Sequence, residues 1–350
     1  MTPRRKFLIS MVGAGALLAS GVACWPIYKA FGDSSREDFD SPNWRNGEFR
    51  NYPNPYICTN LDSEPAASGG WLKFLLSRDD DRYPPAPVAS IKSNLKDLKD
   101  GEFVWLGHSS LLFKLSGKYI CVDPVLSDRA SPIPGTIPAW PGSSPFEAKD
   151  FPIIDFLCVT HDHWDHLDYK AVKSLSYKRV VCGLGLGSHL RYWGYGGEII
   201  ELDWNKSTGD EIKIIYTPSA HFSGRGLKRN RTLWGGFIFD AGENGKVYFT
   251  GDGGYGYHFA DIGKKYGPFD IVFPDSGQYN RDWPKVHMFP EQSVQCAIDS
   301  RSRLACPVHR GKFTLSWHPW NGPEIRFSRE AKRQRFPFLL PSIGEKSHIG

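Results

Sequence analysis

From residue 101 onward the chain alternates short apolar runs with polar punctuation. "FVWLGHSSLLFKLSGKYICVDPVLS" reads as two or three strands, with Ser116-Gly117 as a turn. "DFLCVTHDHWDHLDYKAVKSL" reads as a buried strand, a polar loop, and a helix starting near Asp168. "RVVCGLG" is a further strand, and "GDEIKIIYTPSAHF" is a strand that ends in a loop. "LWGGFIFDAGENGKVYFTGD" predicts a hairpin with a tight turn at Asn244-Gly245. "FDIVFPDSG" predicts a strand, "PEQSVQCAIDSR" a helix, and "RLACPVHRGKF" a final strand running into a loop. Meandering strands punctuated by helices predict a layered α/β domain over 101–350, with sheets inside and helices outside.

The pattern differs before residue 101. Residues 33–100 are rich in Pro, Asp, Ser and Asn, with one helix expected around "GGWLKFLLSR". They read as an arm wrapping the core rather than a second domain. Residues 1–32 open with "TPRRKFLIS" and continue into the apolar, small-residue stretch "MVGAGALLASGVAC". Paired arginines ahead of Phe7 and Leu8 predict a twin-arginine-like export signal or a membrane anchor. The expected address is therefore the periplasm or cell envelope, close to a membrane surface.

Composition refines this picture modestly. The 350 residues are 40% hydrophobic and 23% charged, with a formal net charge of +5. The basic residues are scattered rather than gathered into a stripe, which argues against a nucleic-acid partner. Twelve Trp, 15 Tyr and 22 Phe suit a densely packed body and an apolar substrate. Seven cysteines, an odd number with no CxxC pair, read as free and buried.

Chemistry concentrates in "VTHDHWDHLD", residues 159–168, where three histidines and three aspartates follow an apolar run. His161 and His163 alternate, so an extended segment turns both to one side. His166 follows with Asp165 beside it, and imidazole with carboxylate suits zinc. The blander reading is a solvated loop in which Asp165 or Asp168 caps the next helix. His221, Asp252, His309 and Asp123 stand at the ends of other apolar runs, where loops converge on one rim of a sheet. Gly251 and Gly253 flank Asp252 and allow close backbone approach.

These motifs, "THDHWDHLD", "SAHFSGR", "FTGDGGYG" and "CPVHRGKF", resemble the metallo-β-lactamase superfamily. Within it the chain is most similar to the N-acyl-phosphatidylethanolamine phospholipase D group and its bacterial relatives. "TLWGGFIF", "IGKKYGPFD" and "HMFPEQSVQ" add to that likeness, which runs from about residue 70 to 325. The resemblance implies an αββα four-layer sandwich with two Zn²⁺ per chain. It implies His161, His163 and His221 on one zinc, Asp165, His166 and His309 on the other, and Asp252 bridging. Asp123 would support the site without ligating, and Asp162 reads either as an outward-facing residue or as a carboxylate that orients an imidazole.

The implied activity is a phosphodiesterase acting on N-acyl-phosphatidylethanolamine or a related phospholipid through a hydroxide shared by both cations. Asp165, Asp252 and His287 are its candidate catalytic residues. His287 is expected to meet the leaving group or phosphate, or else to cap the helix after Pro290. Tyr279 and Arg281 are candidate substrate-binding residues, Lys228 and Arg229 offer positive charge to an anionic head group, and His108 reads as structural. The chain departs from the group in showing "PDSGQY" where "PIGAY" is usual, and in placing Arg310 and Lys312 where "HWGTF" carries Trp and Thr. A lactonase or other ester hydrolase of the same fold, and a non-catalytic metal-binding envelope protein, are the alternatives.

Overall fold

The computed structural model describes residues 29–34, 38–51, 74, 80–209, 211–226 and 228–350. Residues 1–28 of the expected export segment lie outside it, as does the helix expected around residues 69–78 except for Phe74. Among the described residues no helix is long and apolar enough to cross a membrane.

Two short strands, β1 (Trp44–Arg45) and β2 (Glu48–Phe49), form a hairpin in the amino-terminal arm. β3 (Glu102–Trp105), β4 (Leu111–Leu115), β5 (Lys118–Val122), β6 (Ile154–Val159), β7 (Tyr177–Gly183) and β8 (Glu198–Leu202) follow. With the carboxy-terminal β14 (Lys346–His348) they make a seven-stranded sheet in the order β14-β3-β4-β5-β6-β7-β8. β9 (Lys213–Thr217), β10 (Gly236–Asp240), β11 (Lys246–Phe249), β12 (Phe269–Phe273) and β13 (Ser302–Ala305) make a five-stranded sheet in the order β13-β12-β11-β10-β9.

The runs are apolar throughout because both faces of each sheet are covered. In β4, Leu111, Phe113 and Leu115 join the core between the sheets, while Leu112 joins a second core with α1 (Tyr169–Ser174) and α2 (Gly187–Tyr192). In β10, Phe237 and Phe239 face the inter-sheet core. Ile238 packs instead with α3 (His258–Tyr266), α4 (Pro290–Asp299) and α5 (Gly322–Gln334). Period-two alternation thus yields four layers, αββα. Ring pairs such as Phe103–Phe273 and Phe113–Phe239, each 5.0 Å apart, lock the sheets together. Such pairs contribute about 0.5–1.5 kcal/mol beyond the area they bury. Phe49, from the amino-terminal segment, enters this core and is fully buried.

The predicted hairpin turn at Asn244-Gly245 is corrected. β10 and β11 are joined through a 3-10 turn at Gly242–Asn244, and the Ala241 N–H donates to Gly245 O across 3.0 Å. Gly242 (φ 61°) and Gly245 (φ 120°) carry the reversal, so the loop is longer than a two-residue turn. The strand expected to be final is β13, and α5 and β14 follow it.

Strand direction positions the site. β5, β6 and β7 are parallel; β3 is antiparallel to β4 and β4 to β5, so β3 shares their direction. β11, β12 and β13 are parallel, and β9 runs with them because both it and β11 are antiparallel to β10. The loops leaving β3, β5, β6, β9, β11, β12 and β13 carry His108, Asp123, His161–His166, His221, Asp252, Asp275 and His309 in turn.

Candidate metal centre

After β6 the chain makes a single turn, in which His163 O accepts from the N–H groups of His166 and Leu167. Asp168 then caps α1, accepting from Lys170 and Ala171 N–H groups. Arg225 clamps this turn: its guanidinium lies 3.9 Å over the Trp164 ring and donates to Asp162 O (2.9 Å) and Leu167 O (2.6 Å). Asp162 faces inward, holding Gly224 N–H (2.6 Å) and the ring of His189 (3.2 Å), an imidazole outside the candidate ligand set. Neither neighbour of Asp252 tolerates a side chain: a Cβ would meet Gly235 O at 2.3 Å from Gly251 and Ser219 Oγ at 2.2 Å from Gly253.

All seven candidate ligands meet at one place. His161 Nε2 lies 2.9 Å and His221 Nε2 3.2 Å from His163 Nδ1. Asp165 Oδ2 lies 3.5 Å from His166 Nε2 and 3.3 Å from His309 Nε2. Asp252 Oδ2 stands between the two groups, 3.1 Å from His166 Nε2 and 3.2 Å from His309 Nε2, and 4.0 Å from both His161 Nε2 and His221 Nε2. A tetrahedral zinc with bonds of about 2.0–2.1 Å separates neighbouring donors by about 3.3 Å. The spacing within each group fits that ion.

The far side of each ring tests the fit independently. His221 Nδ1 donates to Val286 O (3.0 Å), His166 Nδ1 to Asp123 Oδ2 (2.7 Å) and His309 Nδ1 to Asp275 Oδ1 (3.1 Å). Thr160 Oγ1 gives its proton to Asp123 Oδ2 (2.5 Å) and so accepts from His161 Nδ1 (3.0 Å). Four rings are thereby committed outward at Nδ1, which directs an Nε2 lone pair inward in the neutral form. His166 Nε2 is buried, and the carboxylates of Asp252 (3.1 Å) and Asp165 (3.5 Å) stand beside it. These are the donors a cation takes.

Electrostatics divides the cluster. Burial, aided by neighbouring imidazoles, holds His161 and His221 well below the usual imidazole range. Burial also brings His163 down to about 4. For His166 burial acts downward too, but Asp252, Asp165 and Asp123 outweigh it and raise the ring well above its usual range. His309 is raised to about 10: burial opposes the rise, and Asp252 and Asp275 overcome it. Burial works against ionising Asp165 and Asp252, yet His166 above all keeps both well below the usual carboxylate range. Three neutral imidazoles thus form one group, while imidazolium and carboxylate form the other.

Other expectations find their places. Asp123 lies beneath His166. His108, expected to be structural, places Nε2 2.8 Å from Asp165 Oδ2 and so fixes that carboxylate. His287 does not cap α4, whose first turn is closed by Phe289 N–H donating to Gln292 Oε1. Its ring stands 5.1 Å from that of His221 and 4.8 Å from that of His309, with the side chain 13% exposed. Tyr279 is buried and stacked on His318 at 4.4 Å. Arg281 is exposed on the loop beyond it, and Lys228 and Arg229 are exposed as well.

The sequence reading did not identify Asn51 or Asp275. Asn51 brackets His221, accepting from its N–H (3.0 Å) and donating to its carbonyl (2.8 Å). Asp275 holds both His309 and His287. The signal for Asp275 was its carboxylate directly after an apolar run, as for Asp123 and Asp252. Four non-glycine residues here, His108, Asp123, Gln278 and His309, take left-handed backbone (φ 54°, 44°, 56° and 64°), a strain typical of functional sites.

Comparison with known proteins places these residues in context. A beta-lactamase superfamily domain model matches residues 118–310. An uncharacterized protein of Mycobacterium tuberculosis is 38% identical over 316 residues, covering 87% of this chain and 84% of that one. An N-acyl-phosphatidylethanolamine-hydrolyzing phospholipase D of Caenorhabditis elegans is 31% identical over 297 residues, 77% of this chain and 83% of that protein. Among solved structures, an isothiocyanate hydrolase from Delia radicum gut bacteria superposes with a TM-score of 0.56 at 19% identity, covering 70% of this chain and 98% of that one.

Proposed function

The chain belongs to the metallo-β-lactamase superfamily of metal-dependent hydrolases, and from that premise we propose that it is a two-zinc phosphodiesterase acting on N-acyl-phosphatidylethanolamine or a related phospholipid. The two-cation reading is carried by one observation: four ligand rings donate outward at Nδ1 and converge at Nε2. His161, His163 and His221 would hold one zinc, Asp165, His166 and His309 the other, and Asp252 would touch both. Two such cations supply Lewis acidity toward a phosphoryl oxygen and bring water's pKa down toward neutrality.

The chain's own groups do the rest. Asp252 is held ionised between the two groups, where its charge offsets that of two dications. His108 and Asp123 keep Asp165 and His166 in register. His287 stands on the partly open side, its Nδ1 given to Asp275 (2.9 Å), so its Nε2 is the atom available to a substrate oxygen. Arg229 lies 5.3 Å over the Phe222 ring, which packs 4.5 Å from the His163 ring, and brings positive charge for an anionic head group beside the cluster. A cysteine nucleophile is disfavoured, because the described cysteines are buried and burial pushes their thiols up.

The substrate class rests on the similarity to the nematode phospholipase. Zinc-loaded protein offered N-acyl-phosphatidylethanolamine and a lactone panel side by side should release phosphatidic acid and N-acylethanolamine. Ring-opened lactone as the sole product would reject the phosphodiesterase reading.

A further inference from the structure

Asp275 follows β12 and is fully buried. Its N–H donates to Thr250 Oγ1 (3.0 Å), and its carbonyl accepts from Ser293 Oγ of α4 (2.5 Å), so its backbone is pinned at both ends. One carboxylate oxygen takes the His309 Nδ1 proton (3.1 Å) and the Gly277 N–H (3.3 Å). The other takes the His287 Nδ1 proton (2.9 Å) and the Gly253 N–H (3.2 Å), the peptide next to Asp252. A carboxylate only accepts, so both rings must present Nδ1 as donor and Nε2 elsewhere. For His309, Nε2 lies against Asp165 and Asp252; the His287 ring stands between those of His221 and His309, at the side open to solvent. The carboxylate falls in "PDSGQY", where the chain departs from the "PIGAY" pattern.

We propose that Asp275 is a positioning residue that couples the two halves of the site: one side chain orients His309 toward the second cation and His287 toward the substrate. The inference rests on the two-cation reading above. It predicts that cation affinity and turnover fail together when this carboxylate is lost, by separable routes. Gly277 makes the arrangement possible, since a Cβ there would lie 1.8 Å from His309 O.

The test uses the full chain with Asp275→Asn, His287→Ala and the double variant. Zinc affinity is read by competition with a chromophoric chelator, and turnover with bis(p-nitrophenyl) phosphate at saturating zinc. Asp275→Asn should weaken the second zinc equivalent about 10–100-fold and leave the first unchanged, the range seen when a ligand's hydrogen-bond partner is removed. At saturating zinc it should lower kcat about tenfold or more with little change in KM. Added to His287→Ala, it should lower kcat no further, yet weaken the second zinc as before. Equal weakening of both equivalents, unchanged zinc binding, or additive kcat losses would overturn the proposal. Should the Asn variant fail to fold, Asp275→Glu keeps the charge, shifts the carboxylate, and must show the same split between zinc equivalents. A wild-type protein inert toward the probe counts against the phosphodiesterase reading alone, and the zinc split then decides the role of Asp275.

Discussion

At the scale of single residues, the site is a distribution of protons. His161, His163 and His221 are neutral near pH 7 because burial disfavours their charged forms. His166 and His309 hold theirs because Asp252 and its neighbours outweigh burial. On the two-cation proposal, zinc would displace the protons of the second group and none from the imidazoles of the first. Between pH 6.5 and 8 the second binding step should therefore strengthen steeply, up to about 10²-fold per pH unit for two displaced protons, while the first stays nearly flat. Zinc titrations at the two pH values check this; equal slopes for both steps would contradict the assignment. The candidate ligands were legible as a cluster, because HxHxDH is local and its partners follow apolar runs. Asn51 and His189 were not. Asn51 meets His221 across 170 positions and His189 meets Asp162 across 27, and a lone polar side chain carries no sign of so distant a partner.

At the scale of elements, each candidate ligand sits where a strand stops, and side chains fix those stops. Asp168 does more than cap α1. Its carboxylate also accepts from Leu126 N–H (2.8 Å), Ser127 N–H (2.9 Å) and Ser127 Oγ (2.5 Å), tying the loop after β5 to the loop after β6. Asp168→Ala removes a helix cap, about 1 kcal/mol. It also strands the buried Ala171 N–H and the part-buried donors of Leu126 and Ser127, at about 1–3 kcal/mol. A loss of about 2–4 kcal/mol in urea unfolding is expected, and a change below about 0.5 kcal/mol, the size of an ordinary surface substitution, would contradict the role. The strands that carry the site were readable from unbroken apolar runs. α5 was missed for a physical reason: in thirteen residues it buries Gly322, Pro323, Phe327 and Ala331, too narrow a stripe for apolar periodicity to show. β14 is a polar edge strand with no buried residue, so it carries no pattern.

At the scale of the whole molecule, two sheets with strands running toward one rim bring loops from both halves of the chain to a single point. That rim is what the layered α/β pattern foretold, and the layers follow from runs apolar on both faces. The pattern marked Asp275 only as a carboxylate after the β12 run; its role was not legible, because it acts on residues twelve and 34 positions away rather than within a motif. The rim concentrates buried imidazoles and carboxylates that would cost several kcal/mol per unpaired ion. Two cations coordinated at the rim would offset that cost. Elemental analysis of folded protein, isolated without chelator and supplied with zinc during expression, tests this most directly. Two equivalents of divalent metal per chain are predicted, falling to about one in Asp252→Asn. One equivalent or none in folded wild-type protein would contradict the central claim.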